Sequence, residues 1–351
     1  MPEWRATAER LAQRLWYGGS PWALPLLPLS WLYCGAVRVR ARLQGRGRRA
    51  AERLPVPVIV VGNITLGGTG KTPLVRWLAG VLRDAGHRPG IVTRGYGGEA
   101  RHWPQQVRPD ADPRAVGDEA VLLARTTGCP LVAGADRRQA SEALLAHHDC
   151  DLLLSDDGLQ HYRLHRDLEI LVIDGIRRYG NGFCLPAGPL REPLERLARA
   201  EIRVCNGAPG PGEFGFELTA TGLRNLRHPD RTLPLTALRG RRVTAVAGIG
   251  HPRRFFDQLA ALGAQVDPHP FPDHHPFRPA DLAFASGDGL LVMTAKDAVK
   301  CERFADEDWW YLDVQVRPDP RLAPRLLELL AERTATRRAA ASSTAGGSAI
   351  M

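Results

Sequence analysis

A glycine-rich segment followed by lysine and threonine is the part of the sequence with the clearest capacity for chemistry. Gly67, Gly68 and Gly70 let the backbone turn without side chains in the way, and Lys71 and Thr72 come directly after them. In such a loop the backbone N–H groups point inward, and the positive end of the following helix dipole strengthens their attraction for a polyphosphate. The lysine ammonium suits the β- and γ-phosphates, and the threonine hydroxyl suits Mg²⁺. These residues predict a nucleotide phosphate site.

The flanking residues supply the elements that such a loop requires. Residues 58–61 are β-branched, as in a buried parallel strand, and the apolar positions after Lys71 follow a helical period until Gly86. The strict motif fails at one position, because Thr65 stands where the usual pattern has a glycine. Lysine occupies only three of the 47 basic positions, which indicates that Lys71 serves a specific purpose. The predicted phosphate contacts are Thr65, Gly67, Gly68, Thr69, Gly70, Lys71 and Thr72.

Two adjacent carboxylates form the next chemically capable group. Asp156 and Asp157 follow an apolar run over residues 152–154, as expected of a strand that ends in a Mg²⁺-organising acid downstream of a phosphate loop. Because side chains alternate along a strand, the two acids point the same way only where the chain has begun to turn. We expect one of them to reach the metal and the other to reach the loop or the substrate. Gln160 and His161 follow closely enough to join the site.

A second group of acids and a pair of histidines leave their roles open. Asp118 and Glu119 precede an apolar helical pattern, so they fit an N-cap and a first-turn acid as well as they fit catalysis. His274 and His275 lie in a loop with an acid, and no cysteine or further histidine at ligand spacing indicates zinc. A catalytic or phosphate-contacting loop and a solvated loop both match that pattern. Arg94 begins a glycine-rich loop of the kind that binds ligands.

The order of predicted elements indicates an α/β protein with two domains. At 351 residues, with 44% hydrophobic and 24% charged residues, the chain is long enough for two cores. Strand and helix patterns alternate up to about residue 207, which predicts a mostly parallel sheet covered by helices; the pattern weakens over 214–231, as in a linker, and a second α/β unit begins near 242. Six scattered cysteines without C-x-x-C spacing indicate neither a zinc site nor a disulfide framework, so a reducing cytosol is expected. The predicted division is an N-terminal segment (1–50), a nucleotide-binding domain (51–225), a smaller α/β domain (226–335) and a disordered tail (336–351).

A basic N-terminal segment carries most of the net charge. Residues 1–53 hold ten arginines and three glutamates, which is +7 of the total of +9. The segment also has four tryptophans around an apolar run over 21–37, which is shorter than the roughly 20 apolar residues of a spanning helix and contains three prolines. We expect it to lie on an anionic membrane surface, with packing against the body of the protein as the alternative. Its Leu, Pro and Trp content argues against a nucleic-acid arm.

Seven motifs in fixed order resemble the tetraacyldisaccharide 4'-kinase family over about residues 10–330: VGNITLGGTGKTP, TRGYGG, VGDE, DDGLQH, PAGPLREP, FPDHH and TAKDAVK. The resemblance implies ATP and Mg²⁺, with an acylated glucosamine disaccharide 1-phosphate as acceptor, at the cytoplasmic face of the Gram-negative inner membrane, where the protein is peripheral. It also implies a P-loop-type three-layer α/β/α domain joined by a strand linker to a second, smaller α/β domain. Ala295 departs from the glutamate that is common in the family, which leaves the role of Lys296 open.

The same resemblance implies roles for individual residues. Asp118 would act as the base toward the sugar hydroxyl, with His274 as a partner that relays the proton, and Lys71 with Thr72 would hold phosphates and metal. The other implied positions, which organise Mg²⁺ or surround the substrate, are Asp156, Asp157, Glu119, Gln160, His161, Arg191 and Glu192.

Two other classes of protein match parts of the sequence. A membrane-associated P-loop ATPase that acts as a nucleotide switch shares GGTGKT, but such ATPases have a signature lysine just before the paired glycines, and Leu66 occupies that position. A non-catalytic membrane scaffold with a nucleotide fold does not require Asp118, Asp156, Asp157 and His274 together. The combined motifs therefore favour the kinase, and no protein partner is inferred from them.

Overall fold

The fold is described by a computed structural model over residues 11–46, 53–285 and 289–346. Its helical elements are a segment over 11–17, the 3₁₀ helices Pro21–Leu26, Leu194–Arg199, Leu235–Leu238, Pro279–Ala285 and Glu302–Phe304, and the α-helices α1 (Leu27–Arg46), α2 (Lys71–Asp84), α3 (Pro113–Val116), α4 (Asp118–Thr127), α5 (Arg137–His147), α6 (Pro252–Ala261), α7 (Ala295–Cys301) and α8 (Leu322–Gly346). Its strands are β1 (Val58–Gly62), β2 (Pro89–Thr93), β3 (Gln105–Gln106), β4 (Leu131–Ala133), β5 (Leu152–Asp156), β6 (Leu168–Asp174), β7 (Ile202–Asn206), β8 (Phe214–Asn225), β9 (Thr232–Leu233), β10 (Arg242–Ala247), β11 (Gln265–Pro270), β12 (Leu290–Thr294) and β13 (Trp309–Pro318).

One continuous sheet connects the two halves of the described fold, in the order β11-β10-β12-β13-β8-β7-β6-β1-β5-β2-β4-β3. In the first half β1 pairs in parallel with β5 and β6, and in the second half β10 pairs in parallel with β11 and β12. Parallel neighbours require crossover connections, and helices supply most of them here. Each half is therefore an α/β unit of the predicted kind.

A long strand joins the two halves where the sequence pattern predicts a linker. β8 covers most of the predicted linker over 214–231, so the linker is a strand, as the family resemblance implies. Nine of its twelve residues are exposed or only partly buried, so the hydrophobic signal of a strand is weak in the sequence.

The direction of this joining strand brings the ends of the two parallel sheets together. β7 pairs in parallel with the start of β8, where Val204 lies opposite Phe214, and β13 pairs antiparallel with the rest of it, where Leu312 lies opposite Leu223. Because β12 is parallel to β13, the strands of the second half run back toward the first half. The loops that follow the carboxyl ends of both sheets therefore meet, which is where ligands bind in α/β proteins.

Helices cover both faces of the first half, which gives the predicted three layers. Ile59 and Val61 of β1 pack in one buried cluster with α2, α4 and α8, whereas Val58 and Val60 pack in a second cluster with α5 and with residues of α1. The alternation follows from the two-residue period of a strand. Burial of each such side chain stabilises the fold by about 1.5–3 kcal/mol, which fixes the position of the loop that follows β1.

Helix α1 packs on the body of the protein along one side. Ser30 Oγ donates a hydrogen bond to the Cys184 carbonyl oxygen (2.7 Å), and Tyr33 Oη donates one to the Arg191 carbonyl oxygen (3.1 Å). Within the described ranges, no helix combines the length and the apolar character that crossing a membrane demands. Residues 1–10 and 47–50 of the predicted N-terminal segment lie outside the described residues.

The prediction of a disordered tail from residue 336 is wrong as far as residue 346, because α8 continues to Gly346. Alanines and arginines are frequent over 336–341, and these residue types favour helix. Arg337 Nη1 donates to both oxygens of Asp167 (3.0 and 2.9 Å), and its Nη2 donates to the Leu54 carbonyl oxygen. These contacts attach the helix to the first half of the fold. Residues 347–351 lie outside the described residues.

Candidate active site

The phosphate loop lies between β1 and α2 and has the backbone shape that its glycines permit. Gly67 and Gly70 have φ angles of 103° and 88°, a region that favours glycine, and Gly70 is the N-cap of α2. A Cβ added at Gly70 would lie 2.6 Å from Asn206 Nδ2, whereas one added at Gly68 would meet no atom within 4 Å. The loop is therefore closed on the side of Asn206 and open at Gly68.

Thr65 replaces the usual glycine in a part of the loop that forms a short antiparallel bridge. It is 5% exposed and forms this bridge with Leu190, and next to it Leu66 N donates to the Pro189 carbonyl oxygen (2.9 Å). A bridge of this kind does not require glycine, so the departure from the motif is accommodated. The Thr65 hydroxyl accepts a hydrogen bond from Asn63 Nδ2 (3.3 Å), which supports the loop from inside.

Lys71 is held by two groups at the ends of neighbouring strands. Its Nζ donates to Asn63 Oδ1 (3.2 Å) and lies 3.5 Å from Asp157 Oδ1. The ammonium is thus positioned at the mouth of the loop before any phosphate arrives. Thr72 is the second residue of α2, and Thr69 is 2% exposed with a hydroxyl that has no hydrogen-bond partner among the described residues.

Asp156 and Asp157 differ because the chain turns between them. Asp156 ends β5 and is 1% exposed, and Asp157 has a φ angle of 47°, in the left-handed region. Burial, followed by the charges of Glu119 and Asp157, raises the pKa of Asp156 to about 7. Burial also opposes ionisation of Asp157, but the Lys71 ammonium and the Arg191 guanidinium outweigh it and lower that pKa to about 2. Nearby cations therefore compensate the negative charge of Asp157 far better than that of Asp156.

The acids of this site fit Mg²⁺ bound together with a phosphate. In the described part of the chain, no group of three or more His, Cys, Asp or Glu side chains is arranged to hold a metal by itself. Mg²⁺ usually takes only one or two carboxylates from a protein and completes its shell with phosphate oxygens and water. Asp156 Oδ1 is buried and has no hydrogen-bond partner among the described residues. A divalent cation bound there would supply the interaction that this oxygen lacks.

Asp118 and His274 come from different halves of the protein and are in direct contact. His274 Nδ1 lies 3.1 Å from Asp118 Oδ1 and 3.1 Å from Asp118 Oδ2. His274 has a φ angle of 58°, and its ring centroid is 4.7 Å from that of Tyr96 in the glycine-rich loop. The interpretation of Asp118 as an N-cap is wrong, because Gly117 is the N-cap and Asp118 is the first helical residue of α4. Gly117 takes that place with a φ angle of 95°, which glycine adopts without strain.

Two lysines of α7 complete the contacts between the halves. Lys296 Nζ lies 3.0 Å from Glu119 Oε1 and 3.1 Å from Asp273 Oδ1, and Lys300 Nζ lies 3.7 Å from Asp118 Oδ2. Burial by itself would raise the pKa of Asp118, but the hydrogen bond from the histidine and the charges of the two lysines lower it to about 2. Asp118 is therefore ionised at neutral pH. Glu119, predicted as a metal ligand, is paired with Lys296.

Gln160 and Glu192 belong to a buried polar network beneath the phosphate loop. Gln160 Nε2 donates to the Asn63 carbonyl oxygen (3.0 Å) and to Glu192 Oε1 (2.9 Å). Glu192 is 2% exposed and also accepts a hydrogen bond from Tyr162 Oη. These two side chains therefore support the backbone that enters the loop.

The remaining predicted residues lie on the side of Asp157. Arg191 Nη1 donates to Asp157 Oδ2 (3.2 Å), and Arg94 is exposed at the end of β2. Burial, followed by the charges of Arg137 and Arg94, lowers the pKa of His161 to about 4, so His161 is neutral at pH 7. The cations in this region are arginines, which bind planar oxyanions well.

Several residues of the site were not assigned a role from the sequence. Asn63 positions Lys71, Asp273 contacts Lys296, and Lys300 approaches Asp118. The scarcity of lysine in the chain was the available signal for Lys300, whereas an asparagine after a strand carries none. The second histidine of the predicted pair points elsewhere: His275 Nε2 lies 3.1 Å from Asp281 Oδ2.

The fold and the site define a class of protein. A phosphate loop after the first strand of a parallel sheet, an acid at the end of the adjacent strand and a carboxylate–histidine pair beside them are the parts of a P-loop phosphotransferase. The family model described as Tetraacyldisaccharide-1-P 4'-kinase matches residues 22–331, and the chain belongs to this family.

Individual relatives agree with this assignment. The chain is 55% identical over 321 residues to the tetraacyldisaccharide 4'-kinase of Nitrosococcus oceani, covering 91% of this chain and 94% of the relative. It is 51% identical over 331 residues to the enzyme of the same name from Alkalilimnicola ehrlichii, covering 94% of each chain. It also resembles, with a TM-score of 0.72 and 29% identity, a crystal structure described as the apo form of LpxK from Aquifex aeolicus in complex with ATP, covering 88% of this chain and 99% of that one. The family and the fold class predicted from the sequence are confirmed, and the chain is a kinase; the nucleotide-switch alternative has no support.

Proposed function

We propose that this kinase transfers the γ-phosphate of ATP to the 4'-hydroxyl of a tetraacyldisaccharide 1-phosphate, as the name of its relatives indicates. One arrangement carries the proposal: the acids at the phosphate loop and the acids beside Asp118 lie close enough for their charges to act on each other. Lys71 pairs with Asp157, and Glu119, the residue next to Asp118, is among the charges that raise the pKa of Asp156. The donor loop and the candidate base therefore share one site.

On the donor side, the loop backbone, Lys71 and Thr72 hold the phosphates. Bound Mg²⁺ would neutralise charge on the phosphate that is transferred. We assign Asp156 and the Thr72 hydroxyl as its protein ligands, because burial and like charges outweigh the nearby cations Lys71 and Arg137 at Asp156, and because its Oδ1 has no hydrogen-bond partner among the described residues. Asp157 keeps Lys71 and Arg191 in place, so it acts on the phosphate through these two cations.

On the acceptor side, Asp118 orients the attacking hydroxyl and accepts its proton. A carboxylate whose pKa is about 2 is a weak base. That is sufficient here, because phosphoryl transfer proceeds through a loose transition state in which positioning and charge neutralisation contribute most. Arg94, Arg191 and the neutral His161 lie on the side of Asp157, where they would contact oxygens of the sugar or of a phosphate.

The N-terminal elements support the proposal that the site lies at a membrane surface. Trp22, Trp31 and Leu32 are 77%, 67% and 72% exposed, on or next to the helix whose other side packs against the body. Tryptophan and leucine in this setting, followed by arginines, are typical of a helix that lies in the headgroup region. We therefore assign the protein to the cytoplasmic face of the inner membrane as a peripheral protein. Tyr33, which contacts the Arg191 backbone, connects this helix to the site.

Transfer of label from [γ-³²P]ATP tests the proposed function directly. The full-length protein is incubated with Mg²⁺, labelled ATP and the lipid disaccharide 1-phosphate in mixed micelles, and the lipid is extracted. The expected result is a labelled lipid that carries phosphate at the 4' position. ATP hydrolysis without labelled lipid would refute the proposal. A lipid whose 4'-hydroxyl is already phosphorylated serves as the control acceptor and should remain unlabelled.

A further inference from the structure

An arginine of the second half is connected to the phosphate loop of the first half through one asparagine. Arg254 lies in the first turn of α6, and its Nη2 donates to Asn206 Oδ1 (2.9 Å). Asn206 ends β7 and is 1% exposed, and its Nδ2 donates to the Thr69 carbonyl oxygen in the loop (3.3 Å). A guanidinium only donates and a carbonyl only accepts, so the two contacts together define which way the Asn206 amide faces.

The Thr69 carbonyl determines where one N–H group of the loop points. In a trans peptide the C=O of Thr69 and the N–H of Gly70 point in opposite directions. The hydrogen bond to Asn206 directs this C=O outward, so the Gly70 N–H points away from Asn206, toward the inside of the loop. Asn206 also closes the loop at this point, since a Cβ added at Gly70 would lie 2.6 Å from its Nδ2. N–H groups that point inward before a helix are what such a loop uses to bind phosphate.

The segment before α6 lies against the same loop. A Cβ added at Gly250 would be 3.5 Å from Gly68 N, so the chain between β10 and α6 reaches the loop directly. One turn further along α6, Gln258 Nε2 donates to the Leu218 carbonyl oxygen of β8 (3.4 Å), which attaches the helix to the strand that joins the halves. Arg254 lies between these two contacts and is therefore held beside the phosphate loop.

We propose that Arg254 is a positioning residue for the nucleotide, which fixes Asn206 and through it directs the Gly70 N–H toward the phosphates of ATP. This inference rests on the proposed function, in which ATP is the donor. Because Arg254 belongs to the second half, the phosphate loop has its full affinity for ATP only while the two halves are in contact. The Gly70 N–H contacts phosphate both before and during transfer, so its loss weakens binding and leaves the rate of the bound complex nearly unchanged.

Arg253 offers a matched comparison within the same turn of α6. Its side chain is 87% exposed, and its Nε lies 3.9 Å from Asp257 Oδ2. Arg253→Met therefore removes the same positive charge from the same helix without removing the hydrogen bond to Asn206. A difference between the two variants reports that hydrogen bond rather than the net charge of the helix.

Calorimetric titration of the full-length protein with ADP and Mg²⁺ measures the effect on binding without any lipid. We expect Arg254→Met to raise the Kd for ADP by about 3- to 10-fold, the range that one hydrogen bond commonly contributes. Arg253→Met should change it by less than about twofold. In the Asn206→Ala background, Arg254→Met should have no further effect on the Kd. In the label-transfer assay, Arg254→Met should raise the KM for ATP by a similar factor, with kcat at saturating ATP within about twofold of wild type.

Hydrogen exchange followed by mass spectrometry tests the loop itself in the absence of nucleotide. The amides of residues 67–71 should exchange faster in Arg254→Met than in the wild-type protein, because the loop is held less firmly. In Arg253→Met they should exchange at the wild-type rate. Equal exchange in all three proteins would overturn the inference even if Asn206→Ala binds no ADP.

Three results of the binding and transfer experiments also overturn it. Equal Kd values for Arg254→Met and Arg253→Met would show that the hydrogen bond to Asn206 does not affect the loop. Effects of Arg254→Met and Asn206→Ala that multiply would show that the arginine does not act through the asparagine. A fall in kcat and in melting temperature with an unchanged KM would leave Arg254 only a structural role. Absence of label transfer by a wild-type enzyme that binds ADP would instead refute the proposed function.

Discussion

Replacement of Asp156 by asparagine should stabilise the metal-free protein, and the gain should increase with pH. The pKa of this carboxyl is raised from 3.8 to about 7, chiefly by burial. Between these values the unfolded chain ionises the group while the folded protein keeps it protonated, so stability falls as pH rises through that window and then stays constant above it. At about 1.36 kcal/mol per pKa unit, the ionisation of Asp156 opposes folding by about 2 kcal/mol at pH 5 and about 4 kcal/mol at pH 8. Asparagine does not ionise, so the gain from Asp156→Asn should be about 2 to 3 kcal/mol larger at pH 8.

Urea unfolding, followed by tryptophan fluorescence in EDTA at both pH values, measures this difference. Other titrating groups are common to both proteins and cancel in the comparison. Asp149→Asn is the matched control, because the Asp149 side chain is 88% exposed and its replacement should change stability little. An equal gain at pH 5 and pH 8, or a loss at pH 8, would refute the reasoning that burial and like charges outweigh the cations near Asp156. Label transfer should be lost in the same variant, as expected where function is maintained against stability.

Two further predictions concern the base and the membrane surface. Asp118→Asn should lower kcat for label transfer by about 10²- to 10⁴-fold. It should leave the KM for ATP within about twofold, because Asp118 contacts His274 and Lys300 rather than the phosphate loop. Asp112→Asn, at the N-cap of α3, is the control, and unaltered turnover of Asp118→Asn would exclude Asp118 as the base. Substitution of Trp22 and Trp31 by serine should weaken sedimentation with anionic vesicles by about tenfold or more. Phe284→Ser, at a residue of the second half that is 47% exposed, is the control and should not weaken it. Unchanged sedimentation of the double variant would contradict the assignment of the membrane surface.

The phosphate loop was predictable from the sequence because its determinants are local. The strand, the glycine turn and Lys71 follow each other directly, and the structure has them in the predicted order as β1, the loop and α2. The break at Thr65 was visible but not interpretable, because the residue that pairs with it, Leu190, is distant in the chain. Strand β8 was not evident from the residue pattern for a different reason, because most of its residues are exposed or only partly buried and carry little strand signal.

The rest of the site depends on contacts between residues far apart in sequence. His274 and Asp118 are separated by 156 positions, and only the family resemblance associated them before the structure placed them in contact. Local rules for Asp118 suggested an N-cap, a position that Gly117 holds instead. Nothing in the sequence indicated that, of two adjacent histidines, one would face the acid of the other half and the second would face Asp281. His274 also has a left-handed φ angle of 58°, a backbone conformation that is uncommon for a residue with a side chain.

The site distinguishes two adjacent carboxylates by their environments, and this distinction assigns their roles. Asp157 is ionised at all working pH values because Lys71 and Arg191 are beside it, whereas burial and like charges keep the pKa of Asp156 near 7. Neighbouring acids whose pKa values are driven apart commonly divide the work of a site. A carboxylate that is already paired with cations is stabilised little further by a metal ion. A buried carboxylate whose charge is not fully compensated by cations is stabilised most. Mg²⁺ should therefore bind to Asp156, and it should do so together with the phosphate, because no set of protein ligands in the described residues holds a metal alone.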